Sequence, residues 1–135
     1  MKLVIDTNIL FSFFWKNSLT RELIINSSFE LISPKLALKE LNKYNQEIIK
    51  KTKINNKEFN NQLKKLKELV KFIDGKNYQI FIQEAQDFSP DKSDSEFFAL
   101  CLKENTILWS NDSLLKNQNK IKVLSTQDLI ESLFG

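Results

Sequence analysis

The chain contains no histidine. That excludes catalytic triads built on imidazole, imidazole acid–base chemistry and His-ligated zinc. Only two glycines occur, Gly75 and Gly135, so there is neither a glycine-rich phosphate loop nor a dinucleotide fingerprint. The single cysteine, Cys101, permits no internal disulfide and fits a reducing, cytoplasmic setting. No apolar run reaches the roughly 18 residues of a transmembrane helix, so no membrane association is expected. The N-terminal stretch lacks a small-residue cleavage site, so no signal peptide is expected. Any catalysis must therefore rest on Asp, Glu, Lys, Ser or Cys101.

What is present argues for one compact unit. The length of 135 residues suits a single domain spanning the chain, 1–135, with a full core. Eleven phenylalanines against two prolines favour long regular elements. The net charge of +3 hides a partition. From Lys35 to Ile73 there are eleven lysines and four glutamates, whereas from Asp74 onward six lysines face ten acids. A basic middle beside an acidic end suggests a polyanion-binding face next to a cation-binding one. A solvated lysine-rich helical hairpin would give the same pattern.

Short apolar runs alternate with helical periodicity. "KLVID", "FELIS", "VKFID", "TILWS" and "IKVLS" read as strands. Helices are expected over "NILFSFFWKNS" and "LTRELIINSS", from Lys35 to Lys50, from Asn56 to Val70, and over "YQIFIQEAQDF", "SDSEFFALCLKEN" and "TQDLIESLF". Strands without polar alternation indicate a parallel sheet covered on both faces, a three-layer α/β/α sandwich. In such sheets, sites form beyond the carboxyl ends of the strands.

Four acids stand out against that frame. Asp6 and Asp112 follow strands one and four, where each could equally cap the turn that comes next. Glu40 falls on the inward edge of a helix whose apolar arc includes Leu36, Leu41 and Tyr44, and pairing with Lys39 or Lys43 would be its structural use. Asp94 precedes Phe97, Phe98 and Cys101 by helical spacings and so shares their inward face. Ser93 and Glu96 form an S-x-x-E pattern, which reads as a capping box. Asp91 reads as a loop residue. Clustered carboxylates repel one another unless a cation relieves them. With oxygen ligands alone, Mg²⁺ or Mn²⁺ is the natural choice.

The stretches "VIDTNILFSFF", "SPKLALKELNKY", "DKSDSEFFALCL" and "ILWSNDSLL" resemble, in order, the four motifs of PIN-domain ribonucleases, and nearly the whole chain is similar to small stand-alone prokaryotic members. The resemblance implies a Rossmann-like parallel five-stranded sheet in order 3-2-1-4-5 and metal-dependent hydrolysis of RNA. It implies Asp6, Asp94 and Asp112 as metal ligands, Glu40 as the group orienting or deprotonating the attacking water, and Asn8 and Ser110 as supporting polar groups. Many relatives are VapC-like toxins held by an antitoxin, often as homodimers. The lysine-rich stretch from Tyr44 to Val70 departs from typical toxins. Other readings are a catalytically idle RNA-binding module on the same fold, and a haloacid-dehalogenase-like phosphatase. The phosphatase reading wants a D-x-D pattern, and Asn8 occupies its second acidic position. Cys101 as a nucleophile is weaker than Cys101 as a core residue.

Overall fold

The structure, a computed structural model, describes residues 2–134, with side chains as far as Leu133. Five strands form one parallel sheet: β1 (Lys2–Ile5), β2 (Glu30–Pro34), β3 (Val70–Ile73), β4 (Ile107–Trp109) and β5 (Val123–Leu124). Their order is β3-β2-β1-β4-β5, with every adjacent pair parallel. Eight helices connect and cover them: α1 (Thr7–Ser12), α2 (Leu19–Asn26), α3 (Lys35–Lys43), α4 (Asn45–Thr52), α5 (Asn56–Leu69), α6 (Ile82–Phe88), α7 (Ser95–Glu104) and α8 (Thr126–Phe134).

The strands are apolar runs because both faces of the sheet are covered. In the central strand Leu3, Val4 and Ile5 are all essentially inaccessible. Ser33 is the buried polar residue of β2, and its hydroxyl donates to the Ile5 carbonyl at 2.7 Å. Helix α7 ends at Asn105, whose φ of 51° is a left-handed conformation that Asn tolerates. There the Thr106 and Asn105 amides donate back to the Cys101 and Leu102 carbonyls, and the chain turns directly into β4.

The lysine-rich middle is a helical hairpin pinned by one apolar stripe. Phe59, Leu63 and Leu66 of α5 are buried at spacings of four and three, while Lys57, Lys64, Lys65 and Lys67 are exposed. Phe59 stacks on Phe14, with ring centres 4.9 Å apart. The Asn55 side chain caps α5 by accepting from the Glu58 amide at 2.8 Å.

Three segments differ from the expectations above. The helix expected over Lys35–Lys50 breaks at Tyr44, whose ring sits edge-on to Phe11 and whose backbone leaves the helical region. Helix α1 stops at Ser12, and the chain leaves it through Phe13 and Phe14, both fully buried, before α2 starts at Leu19. The helix expected over "YQIFIQEAQDF" begins instead as a 3₁₀ turn, Gln79–Phe81, before α6 proper starts at Ile82. None of these shifts moves the strand ends that carry the acids.

Candidate active site

Asp6 is the first residue past β1, and its amide still pairs with the Trp109 carbonyl of β4. Only 6% of it is exposed. One carboxylate oxygen accepts from the Thr7 amide at 2.8 Å, capping α1. The other accepts from the Ser110 hydroxyl at 2.6 Å. Ser110 is a hub one residue past β4. Its oxygen also accepts from the Asp112 amide at 3.1 Å and from the Asn8 side-chain amide at 3.4 Å. Asp6, Asn8, Ser110 and Asp112 are thus tied into one network across two adjacent strand ends.

Capping and clustering, which looked like alternatives in the sequence, coexist. Asp112 is exposed and accepts from the Leu114 amide at 3.1 Å, opening a 3₁₀ turn over Ser113–Lys116. Asp94 is half-buried at the start of α7 and makes no capping bond of its own. Glu40 is half-buried on α3, and among the described residues it forms no ion pair with Lys39 or Lys43.

The electrostatics show that these carboxylates sense one another. Burial pushes the Asp94 carboxyl up, and the charges of Asp6, Asp91, Asp112 and Glu40 push it further, to about 7. Glu40 is raised first by burial and then by Asp6. Asp6 is raised by burial and by Asp112, against the lowering bonds from Ser110 and Thr7. Only the distant Lys43 charge opposes this on Glu40, so mutual repulsion and burial dominate the set. Cys101 lies beneath, fully buried, and burial raises its thiol well above the usual range, so it is no nucleophile.

Two readings of the third motif change. The expected Ser93–Glu96 capping box does not form. Residues Lys92–Asp94 make a 3₁₀ turn capped by Asp91, which accepts from the Ser93 amide at 3.0 Å. Glu96 instead accepts from the Tyr78 hydroxyl at 2.5 Å, a partner 18 residues away. Asp91 was read only as a loop residue, yet its charge is the second largest acting on Asp94. The D-x-x-D spacing of Asp91 and Asp94, one helical turn, was the available signal.

The donor set suits a hard divalent cation: oxygen only, carboxylate-rich, and carrying unrelieved negative charge. The Oδ1 atom of Asn8 is also buried at this edge without a partner. Among the described residues no three acids converge tightly enough to enclose an ion between them.

A cleft of about 1000 Å³ opens beside the acids, and Glu40 and Ser95 line it. The Ser95 hydroxyl is buried there without a hydrogen-bond partner.

Comparison with known proteins agrees with this architecture. No curated protein matches the chain. Among solved structures, a chain of VapBC2 from Rickettsia felis, bound to a DNA fragment from their promoter, superposes with a TM-score of 0.62. The match covers 93% of this chain and 98% of that one at 18% identity, a likeness of fold. The family model of the PIN domain matches residues 4–131, a span that holds Asp6 just past β1 and Ser110 just past β4, and the chain belongs to the PIN domain family.

Proposed function

We propose that this protein is a metal-dependent endoribonuclease that hydrolyses RNA phosphodiester bonds at the edge of the sheet formed by Asp6, Glu40, Asp94 and Asp112. The observation that carries the reading is the gathering of those four carboxylates at one edge of the sheet, none of them in an ion pair among the described residues, next to an open cleft. Asp6, Asp94 and Asp112 would hold Mg²⁺ or Mn²⁺, directly or through water. A cation so held supplies Lewis-acid polarisation of the phosphoryl oxygen and a water acidic enough to attack near neutral pH.

The chain's own residues set the rest. Ser110 fixes one oxygen of Asp6 and the Thr7 amide the other, so the Asp6 carboxylate cannot rotate. Asn8 donates toward Ser110 and keeps its hydroxyl aimed at Asp6. Glu40 sits between acids and cleft with its carboxyl raised, which places its proton affinity nearer neutral pH and suits it to accept a proton from the attacking water. The phosphatase reading fails on Asn8, an amide engaged with Ser110 where that chemistry needs a second acid.

The wider setting belongs to the same proposal. The chain acts in the cytoplasm as a toxin-like nuclease, with an antitoxin protein as partner and a homodimer as its assembly. Support comes from family membership and from the shared fold with the Rickettsia felis VapBC2 chain. The test is cleavage of structured and unstructured RNA with Mn²⁺ or Mg²⁺, with and without chelator. Loss of cutting in Asp6→Asn and in Asp94→Asn is expected. Metal-independent cutting, or cutting that survives both changes, would sink the proposal.

A further inference from the structure

The cleft beside Glu40 has two unlike walls, and their spacing matches. Lys39 and Lys43 lie one turn apart on α3, with Lys35 one turn before them. Lys43 lines the main cleft, and Lys35, Lys39 and Asp74 line a continuation of about 230 Å³ that shares Leu36, Gly75, Tyr78 and Glu96 with it; Lys35 is paired with Asp74 at 3.5 Å in an exposed contact that a phosphate can displace. The lysines therefore form a rail roughly 12 Å long by helical rise. Gln79, Gln83 and Gln86, from a different element, also line the cleft and are exposed, at spacings of four and three along the turn into α6. That amide stripe is roughly 10 Å long by helical rise. The cationic rail and the amide stripe thus run for similar lengths along one groove.

Lysine and glutamine suit different parts of one ligand. Lysine ammonium groups neutralise phosphates without regard to sequence, while a side-chain amide pairs its donor and acceptor with a base edge. Ten ångströms spans about three stacked bases at about 3.4 Å each. Ser95, which follows Asp94 in sequence, also lines this groove, its buried hydroxyl without a partner among the described residues. Duplex RNA hides its base edges in a deep, narrow major groove, whereas a single strand offers them.

We propose that this groove binds a single-stranded RNA segment of about three nucleotides, with its backbone along Lys35, Lys39 and Lys43 and its base edges against Gln79, Gln83 and Gln86. The groove feeds the scissile phosphate toward Glu40 and Asp94. This proposal rests on the ribonuclease reading and adds to it where sequence preference resides. Selectivity resides in the amide stripe, and affinity in the lysine rail.

The test separates binding from cutting. Fluorescence anisotropy of labelled single-stranded RNA oligonucleotides is measured in EDTA across a salt series, using the full chain. The double variant Lys39→Gln/Lys43→Gln should bind all sequences more weakly, with the salt slope reduced by about 1.4 for two lost phosphate contacts. The triple variant Gln79→Ala/Gln83→Ala/Gln86→Ala should keep that slope and lose roughly tenfold of its discrimination between preferred and disfavoured sequences. Its cut sites with Mn²⁺ should spread. Circular dichroism of both variants checks that the fold is kept. Absence of RNA binding, or duplex bound as well as single strand, would overturn the groove. So would cutting that persists with an unchanged salt slope and unchanged cut sites in both variants, which would leave the ribonuclease reading standing. Groove-dependent binding by a chain that cuts nothing would sink the ribonuclease reading and keep the groove.

Discussion

Asp94 is held at about 7 by burial and by four neighbouring acids, against an ordinary value of 3.8. The sign of the consequence follows from linkage. A carboxyl whose folded pKa exceeds its unfolded one favours the folded state when protonated. In metal-free protein that contribution is complete below about pH 4 and fades as pH rises toward about 7. Asp94→Asn removes the ionisation, so it should flatten this part of the stability profile. At pH 8 in chelator it should raise stability by about 1 kcal/mol, allowing for solvent screening of a half-exposed group. Urea midpoints of both proteins from pH 4 to 8 check this. Parallel profiles would show that the crowding of acids around Asp94 costs nothing.

At the level of elements, the hairpin of α4 and α5 joins the core through Ile48, Leu63, Leu66 and one aromatic stack. Phe59 is 2% exposed and stacked on Phe14, which is itself 1% exposed. Phe59→Ala should therefore cost about 3–5 kcal/mol. Chemical denaturation measures it, and a loss under about 1 kcal/mol would mean the hairpin is packed elsewhere. Elements of this kind were legible from the sequence where burial is strong and local. The five strands read as apolar runs because parallel strands are buried on both faces, and Asp6 and Asp112 were legible as acids just past two of them. Glu40 was legible from its place on the helical wheel of α3. The strand order came from family resemblance, since periodicity carries no information on neighbours. The break at Tyr44 and the bond between Tyr78 and Glu96 were not legible, because each depends on a partner distant in sequence. Asp91 escaped notice because its effect is a charge acting across a turn rather than a pattern of burial.

At the scale of the whole molecule, the unrelieved acidic edge is a cost to folding that a cation would remove. A ligand that binds the folded chain alone stabilises it by about 2.7 kcal/mol at one hundred times its dissociation constant. For a domain of this size that corresponds to a Tm increase of several degrees. Thermal unfolding at pH 7.5 should therefore show a rise with Mn²⁺ or Mg²⁺ that matched KCl does not reproduce. Asp6→Asn and Asp94→Asn should each lose most of it. The rise should also shrink at pH 5.5, because a cation must then displace the proton that Asp94 holds up to about 7. The pH arm excludes weak surface binding, because exposed carboxylates of ordinary pKa remain ionised at pH 5.5 and would keep the full effect. A rise of equal size in wild type and Asp94→Asn, or one indifferent to pH, would place the cation away from this edge of the sheet.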